Sequence, residues 1–329
     1  MRLVWPQIDV NNAPEWGSEH MSDIEVLVAE VAAATDRESW LVAMDKAGEA
    51  AGYFQRAGKN HWACFADAGT TLLVGFETID SARKRPDQRP LVQTVADRNG
   101  WSHLTLIADG QTFWRDEGLW SFMDRLIDDA FFEDFDRVLF YGAGPAGYAA
   151  AAYAVAAPGA QVLLLAPRAT MTPALAGWDP RDAQIRRRDF TTRFGYAPDM
   201  VEGAGQVFLI YDPHEQLDAM HAVLFRGPQI THVGLPRANA GGGIEATLMR
   251  LGVLVELIEM AAMGRLTRLA VTRGWRKRRD DASYLKATLI EVAEADNPRR
   301  ELQFCRAALA RVKVSRIARH MAEIQSRRR

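Results

Sequence analysis

The sequence is poor in cysteine and has no long uncharged apolar run. Cys64 and Cys305 are the two cysteines among 329 residues. They are too few for a disulfide framework or a four-ligand zinc site, and they predict free thiols in a cytoplasmic protein. The longest uncharged stretch, Val138–Pro167, is broken by glycines and prolines. Because the first twelve residues also lack an apolar core, neither a membrane span nor a signal peptide is predicted.

Charge is distributed unevenly along a chain of ordinary globular composition. Residues 264–329 carry 18 Lys/Arg against 7 Asp/Glu, whereas the preceding 263 residues carry 22 against 35. A basic tail on an acidic body predicts an anionic partner, a protein partner at the C-terminal helices, or docking of the tail on its own body. The basic run Arg273–Arg279 surrounds one aromatic residue, Trp275. So short a run on an acidic body does not predict nucleic-acid binding.

Seven short apolar runs predict strands. The last five are continuous rather than alternating, which is typical of parallel strands buried on both faces. The first two are separated by Asp67–Thr70, a spacing that predicts a hairpin. The runs are His61–Ala66, Thr71–Phe76, Ser102–Ala108, Arg137–Tyr141, Gln161–Ala166, Gln206–Tyr211 and Gln229–Gly234.

Helical patterns lie between these runs and at both ends of the chain. Alternating strands and helices predict an α/β fold with an open, mostly parallel, doubly wound sheet. Two amphipathic helices precede the sheet, the first from Ser22 or Asp23 to about Ala34 and the second over residues 38–51. We expect three units: an N-terminal arm with helices (1–54), an α/β domain (55–243) and a basic helical C-terminal extension (244–329).

A glycine-rich turn follows the run Arg137–Tyr141 and is compatible with two chemistries. Gly142, Gly144 and Gly147 match the dinucleotide fingerprint G-x-G-x-x-G, in which the turn holds a pyrophosphate against a helix N-terminus. The acidic residue expected after the next strand is replaced by Arg168, which could meet a 2′-phosphate. One alternative is therefore a nucleotide-dependent oxidoreductase that uses NAD(P) or FAD.

The second chemistry is the nucleophile elbow of α/β-hydrolases, G-x-S-x-G between a central strand and a helix. The position of the turn in the middle of the chain fits this motif better. However, Gly144 stands where the serine belongs, and glycine offers no nucleophilic oxygen. The histidine position after the last strand is occupied by Asn239, and His232 on that strand is interpreted as structural.

Two groups of polar residues remain as weaker candidates. Asp212 and Asp218, with Glu215 between them, follow a strand and could supply a general base, although a helix cap is the alternative. Arg168, Arg193 and the run 186–188 could hold a phosphate, sulfate or sugar acid near the carboxyl ends of the strands, although a solvated lid is the alternative. No metal site is predicted.

The chain resembles an α/β-hydrolase-like group encoded in bacterial surface-polysaccharide loci, whose active members carry a "FYGSSMGGYAA"-type elbow that aligns with Phe140–Ala150. It more closely resembles an alphaproteobacterial family that is often labelled phosphoadenosine phosphosulfate reductase. Such reductases need an S-G-G-x-D-S-type loop, which this sequence lacks. The resemblance to this family is carried by the segments Thr71–Asp80, Trp101–Leu104, Phe131–Arg137, Asp189–Met200, Tyr211–Pro213 and Asp218–Ala222.

These resemblances imply an α/β-hydrolase-like domain over residues 55–243. Together with the missing serine and histidine, they predict a degenerate hydrolase, or pseudoenzyme, that binds an anionic small molecule or a protein partner and needs no cofactor. The alternatives are the oxidoreductase described above and an interaction protein that acts through its basic C-terminal helices.

Overall fold

A computed structural model describes residues 18–294 and 297–326, with side chains from residue 26 onward. Most of the predicted N-terminal arm lies outside these residues, and the first helix begins at Ser18, ahead of the predicted cap. Within the described residues, eight strands form one sheet: β1 (Gly52–Gly58), β2 (His61–Ala66), β3 (Thr71–Thr78), β4 (Ser102–Ala108), β5 (Arg137–Ala143), β6 (Gln161–Leu165), β7 (Gln206–Tyr211) and β8 (Ile230–Gly234).

Helices fill the connections and the two ends of the described chain. They are α1 (Ser18–Ala33), α2 (Arg37–Ala51), α3 (Ile79–Arg83), α4 (Leu91–Asn99), α5 (Glu117–Asp128), α6 (Pro145–Tyr153), α7 (Pro173–Ala176), α8 (Ala197–Met200), α9 (Gln216–Ala222), α10 (Ile244–Arg250), α11 (Leu254–Ala262), α12 (Arg268–Trp275), α13 (Ala282–Glu294), α14 (Pro298–Leu309) and α15 (Ser315–Ser326).

The strands are ordered β1-β2-β4-β3-β5-β6-β7-β8. Strand β2 runs antiparallel to β1 and to β4, and every other neighbouring pair is parallel. The predicted hairpin between β2 and β3 is wrong, because β4 pairs with β2 from His61↔Ala108 to Ala66↔His103 and separates it from β3. Strand β1 was not predicted, and it crosses the predicted boundary at residue 54. The division into three units stays a prediction.

The sheet is buried on both faces, as the continuous apolar runs predict. Along β3, Leu72 and Val74 pack in one core cluster with Tyr148 of α6. The intervening Leu73 packs in the opposite cluster, which also holds Leu289 of α13. The C-terminal helices therefore cover one face of the sheet through apolar side chains. The α/β class, the mostly parallel sheet and the helical C-terminal region are confirmed.

The helices of the C-terminal extension are shorter than the sequence pattern predicts. The pattern predicts one helix over residues 244–260, but Gly252 adopts φ +62° between α10 and α11, a conformation that glycine accepts without penalty. It also predicts one helix over residues 299–329, and the described part of this segment divides into α14 and α15. In the described part of the chain, no helix is long and apolar enough to span a membrane.

Candidate ligand site at the β5 elbow

The turn between β5 and α6 has the geometry of a nucleophile elbow. Gly144 adopts φ +56° and ψ −120°, and α6 begins at the next residue. The Gly144 N–H donates to the Leu165 carbonyl at 2.8 Å, and the Gly144 carbonyl accepts from the Arg168 N–H at 3.3 Å. These bonds fix the strained turn between β5 and the loop after β6. A nucleophile elbow has the same strand–turn–helix arrangement.

Packing explains Gly142 and Gly147 of this turn, and backbone conformation explains Gly144. A Cβ on Gly142 would lie 2.2 Å from the Ala146 carbonyl oxygen, and one on Gly147 would lie 3.1 Å from Pro167 Cα. A Cβ on Gly144 would meet no atom within 4 Å. Glycine is favoured at this position by the positive φ and not by lack of space. The spacing that matches the dinucleotide fingerprint is thus required by the elbow itself.

Two groups that acyl-transfer chemistry uses are missing from this elbow. Gly144 has no side-chain oxygen to act as a nucleophile. The backbone N–H of the residue after the nucleophile normally contributes to the oxyanion hole, and here that residue is Pro145, which has no N–H. This second loss is not among the predictions from the sequence, although Pro145 directly follows Gly144.

Of the two predicted acids, Asp212 lies in the loop after β7 and Asp218 lies on α9, and both carboxylates have hydrogen-bond partners. The carboxylate of Asp212 is 2% exposed and accepts backbone N–H groups from His214, Arg237 and Asn239 at 2.9–3.1 Å. It therefore ties the loop after β7 to the loop after β8. Asp212 and Asp218 stay candidates only, because both have structural partners that a general base would have to give up.

Asp218 belongs to a buried ionic network. It accepts from Arg181 at 2.7 Å, from Arg168 at 3.5 Å and from the Asn239 side chain at 3.1 Å. Arg181 also forms hydrogen bonds of 2.9–3.1 Å to both carboxylate oxygens of Asp179. Arg168, which the sequence offered for a 2′-phosphate or another anion, is buried within this network. Asp179, Asp182 and Asp218 lie 3.5–3.9 Å from its guanidinium.

The proton on His221 is fixed by its neighbours in the same network. Its Nδ1 accepts the Ala169 N–H at 3.1 Å, so Nε2 carries the proton and donates it to Asp179 at 3.0 Å. Burial lowers the pKa of His221 to about 4. Burial alone would raise the pKa of Asp179, but hydrogen bonds from Arg181 and His221 hold it at about 2. The histidine is therefore neutral at pH 7 while the aspartate is ionised.

The remaining arginines predicted to hold an anion are dispersed. Arg193 pairs with Asp124 of α5. Arg186 donates to backbone carbonyls of residues 176–179, and Arg188 donates to the Arg115 carbonyl at 2.7 Å. Arg186 shares Asp179 with Arg168 but binds its backbone carbonyl, whereas the partners of Arg188 and Arg193 are separate from those of Arg168. The described residues thus do not bring all of the predicted arginines together around one site.

A cavity of about 150 Å³ lies beside the elbow, bordered by Ala143, Pro145 and Ala146. Its polar lining includes Tyr141, whose hydroxyl donates to Glu245 Oε1 at 2.6 Å. It also includes Glu77, which is held by Arg85 and by the Leu91 N–H. Neither glutamate is among the predicted site residues: the two are 168 residues apart, and the segment Thr71–Asp80, which contains Glu77, indicated only a family resemblance.

Burial raises the pKa of two side chains that line the cavity, Tyr141 and Glu77. It raises the pKa of the Tyr141 phenol well above its ordinary value, and the carboxylate of Glu245 raises it further. Burial also raises the pKa of Glu77, against the opposing effect of Arg85. Tyr141 therefore keeps its proton and serves as a hydrogen-bond donor. Among the described residues, no group of three His, Cys, Asp or Glu side chains is arranged to hold a metal ion.

The two cysteines are buried free thiols in separate parts of the core. Cys64 lies on β2 and Cys305 on α14. Burial raises the pKa of both, to about 12 for Cys64. A thiol with a raised pKa is a poor nucleophile. The buried position of Cys305 gives no support to reductase chemistry at that residue.

No protein-family model and no curated protein matches the chain. Among solved structures, it is similar to Est1E from Butyrivibrio proteoclasticus, with 15% identity and a TM-score of 0.43 over 65% of this chain and 98% of that one. The Pyrobaculum calidifontis esterase has 12% identity and a TM-score of 0.41, over 80% of this chain and 96% of that one. The capsule O-acetyltransferase of Neisseria meningitidis has 10% identity and a TM-score of 0.40, over 60% of this chain and 92% of that one.

At these low scores the likenesses decide nothing about the activity of this chain. The fold rests instead on the sheet and the elbow: a mostly parallel sheet, a strained strand–turn–helix at its centre, and loops after the later strands where an acid and a histidine would follow. The chain has an α/β-hydrolase-like fold, as predicted.

Proposed function

We propose that this protein is a non-hydrolytic member of the α/β-hydrolase architecture that binds a small ligand in the cavity beside its elbow. The observation that carries the proposal is the pair Gly144–Pro145, which removes both the nucleophilic oxygen and one oxyanion donor while the elbow backbone is retained. Asn239 occupies the position after the last strand where a hydrolase has its histidine, so that general base is missing. The side-chain amide of Asn239 donates to Asp218 instead.

The cavity supports binding rather than turnover. It lies where hydrolases of this architecture place the reacting group, and its volume suits a ligand far smaller than the drug-sized molecules that occupy pockets of about 300 Å³ or more. The sequence predicts an anionic ligand from the arginines, but no Lys, Arg or His side chain lines this cavity to bind an anion. The elbow cavity therefore replaces the arginines as the proposed ligand site.

An ester hydrolysis assay tests whether the elbow has lost hydrolytic activity. We expect no turnover of p-nitrophenyl acetate above background by the wild-type protein or by Gly144→Ser. In that variant the serine has space but still lacks a histidine and the N–H of residue 145. Turnover by the wild-type protein that is lost in the cavity-filling variant Ala146→Leu would overturn the proposal, because it would place catalysis at the elbow.

Thermal unfolding against a ligand panel tests binding. The panel contains small amines, carboxylates, sulfate, sugars, NAD(P), FAD and adenosine phosphosulfates. A ligand at about 100 times its Kd stabilises the folded state by about 2.7 kcal/mol. We expect a small compound to raise Tm in the wild-type protein and not in Ala146→Leu. A rise with a dinucleotide that persists in Ala146→Leu would favour the oxidoreductase alternative instead.

A second candidate function, binding of an acidic protein segment, is favoured by the C-terminal helices. Lys286, Lys313 and Arg316 are exposed and line one groove of about 340 Å³. Within the described residues none of the three forms an ion pair. The extension packs on the sheet through Leu285, Leu289 and other apolar side chains, and its Arg268 donates to the His232 carbonyl of β8. Lys286, Lys313 and Arg316 take no part in this packing.

Point substitutions test this candidate better than deletion of the extension, which would strip apolar cover from the sheet. We expect a polyglutamate peptide to bind the wild-type protein. Triple charge reversal at Lys286, Lys313 and Arg316 should weaken that binding. The same reversal at Arg299, Arg300 and Arg306, outside the groove, is the matched control. Equal weakening in both variants would mean that only net charge matters, which contradicts a docking site.

A further inference from the structure

The charges around the elbow cavity are of one sign. Glu77 and Glu245 line it, and no Lys, Arg or His side chain does. Glu77 is compensated, because Arg85 pairs with one carboxylate oxygen and the Leu91 N–H donates to the other at 3.0 Å. The ion pair of Glu77 with Arg85 carries no net charge.

Glu245 lacks such compensation. Its Oε1 accepts the Tyr141 hydroxyl at 2.6 Å, and no described residue donates to its Oε2. Tyr141 is neutral, and the Glu245 carboxylate at the start of α10 is near no described cation within ion-pair distance. The cavity therefore retains one uncompensated negative charge beside a neutral phenol. An ion of the opposite sign is favoured there.

Aromatic surface adjoins this charge. Trp114 and Tyr141 both line the cavity, and the Trp114 indole is held by a 2.8 Å bond from Nε1 to the Leu106 carbonyl. Aromatic rings beside a carboxylate are the usual means of recognising an ammonium or quaternary ammonium ion. Trp114 adopts φ +55° and its neighbour Phe113 φ +54°, a left-handed conformation that costs free energy for bulky residues. The surrounding core holds the indole at this wall despite that cost.

The volume restricts the ligand further. About 150 Å³ corresponds to the space of roughly five water molecules, which suits a compact ligand. Thr78 and Gln111 on the same wall can form hydrogen bonds with a hydroxyl group of the ligand.

We propose that the elbow cavity binds a compact organic ammonium ion, with Glu245 as its charge partner and Trp114 and Tyr141 as its aromatic walls. This inference rests on the proposed function and names the ligand class of that site. It differs from the anion that the sequence predicts. A hydroxyl-bearing ammonium ion fits the polar residues of the wall best.

Choline and its neutral isostere 3,3-dimethylbutan-1-ol test the proposal, since they share shape and hydroxyl and differ in charge. Binding is measured by calorimetric titration of the full chain. We expect choline to bind and the isostere to bind at least about tenfold more weakly. Ethanolamine tests whether a primary ammonium is also accepted. Equal binding of choline and the isostere would overturn the inference.

Point variants test whether choline binding depends on the Glu245 carboxylate or only on the shape of the cavity. Glu245→Gln should weaken choline binding by about tenfold or more, whereas Tyr141→Phe should retain it because the carboxylate remains. Glu256→Gln, a change to an exposed glutamate on α11, is the matched control and should have no effect. Urea unfolding of each variant verifies that it is folded.

The outcomes also separate this inference from the proposed function. If a neutral or anionic compound binds instead and Ala146→Leu blocks it, the ammonium inference is overturned while the proposed ligand cavity stands. If no compound of the panel binds and the wild-type protein hydrolyses esters at the elbow, the proposed function itself is overturned. Choline binding that Glu245→Gln leaves unchanged would also contradict the assigned site.

Discussion

The side-chain amide of Asn239 donates a 3.1 Å hydrogen bond to Oδ2 of Asp218, where a hydrolase would join a histidine to an acid. The backbone N–H of Asn239 donates to Asp212 at 3.1 Å, so one residue joins the loop after β8 to both predicted acids. Asp212, Asp218 and Asn239 therefore hold loops together at these positions. This arrangement can be tested through stability.

Asp212→Ala should destabilise the fold more than Asn239→Ala. Removing the Asp212 carboxylate leaves three backbone N–H groups, in the loops after β7 and β8, without their shared buried acceptor, at a cost of about 3 kcal/mol or more in the free energy of unfolding. Removing the Asn239 side chain loses one hydrogen bond, and Asp218 keeps its arginines, so about 1 kcal/mol is expected. Urea unfolding measures both. Equal losses would contradict the buried role of Asp212.

Alanine at the three elbow glycines should give a graded loss of stability. Gly142→Ala places Cβ against the Ala146 carbonyl and should cost more than about 3 kcal/mol. Gly144→Ala meets no atom but must hold φ +56°, at about 1–2 kcal/mol. Gly147→Ala, with a contact of 3.1 Å, should lie between these two. Thermal unfolding gives the order, and a neutral Gly142→Ala would show that the elbow packs differently.

The buried network should depend strongly on Asp179. Asp179→Ala removes the partner of Arg181 and His221 and leaves Arg168 less compensated, which typically costs about 3–5 kcal/mol for a buried pair. Asp280→Ala removes an exposed partner of Arg311 and is the control, with a much smaller loss. Chemical denaturation compares them. Similar losses at both sites would mean that the network contributes no more than a surface pair.

Stability should fall as the pH decreases from about 6.5 to 4. Burial lowers the pKa of His61, His103 and His221 to about 4, so in this range the unfolded chain binds protons that the folded chain does not. Each such histidine lowers the free energy of unfolding by about 1.4 kcal/mol per pH unit within this window.

His103→Leu isolates one of these contributions. His103 is buried, and its Nε2 has no hydrogen-bond partner in the described chain, while its Nδ1 lies 3.4 Å from the buried Thr105 hydroxyl. Leucine should therefore reduce the pH slope by about one histidine's share, and the lost contact with Thr105 adds a destabilisation that does not depend on pH. Unfolding curves at pH 7, 6 and 5 measure the slope. An unchanged slope would mean that His103 is protonated in the folded state.

Some of the site could be predicted from the sequence because it depends on neighbouring residues. The strand of residues 137–143, the turn at Gly144 and the start of α6 at Pro145 are encoded within nine positions, and the missing serine is visible in the same residues. The pairing of β2 with β4 could not be predicted, because paired residues such as Ala66 and His103 lie tens of residues apart in the chain. Strand β1, in contrast, pairs with β2 as its neighbour in the chain, from Gly58↔His61 to Gly52↔Ala66, and was not among the predicted runs.

The sequence by itself determined the alternation of buried strands and helices, the strained elbow and the absence of a nucleophile, since each follows from local backbone preference and side-chain chemistry. The tertiary structure alone decided that Arg168 is buried among aspartates and that Asp212 binds loop amides. It also decided that Glu77 and Glu245 face one cavity with Tyr141. Burial and charge compensation depend on residues far apart in the chain, and only the folded packing brings them within hydrogen-bond distance.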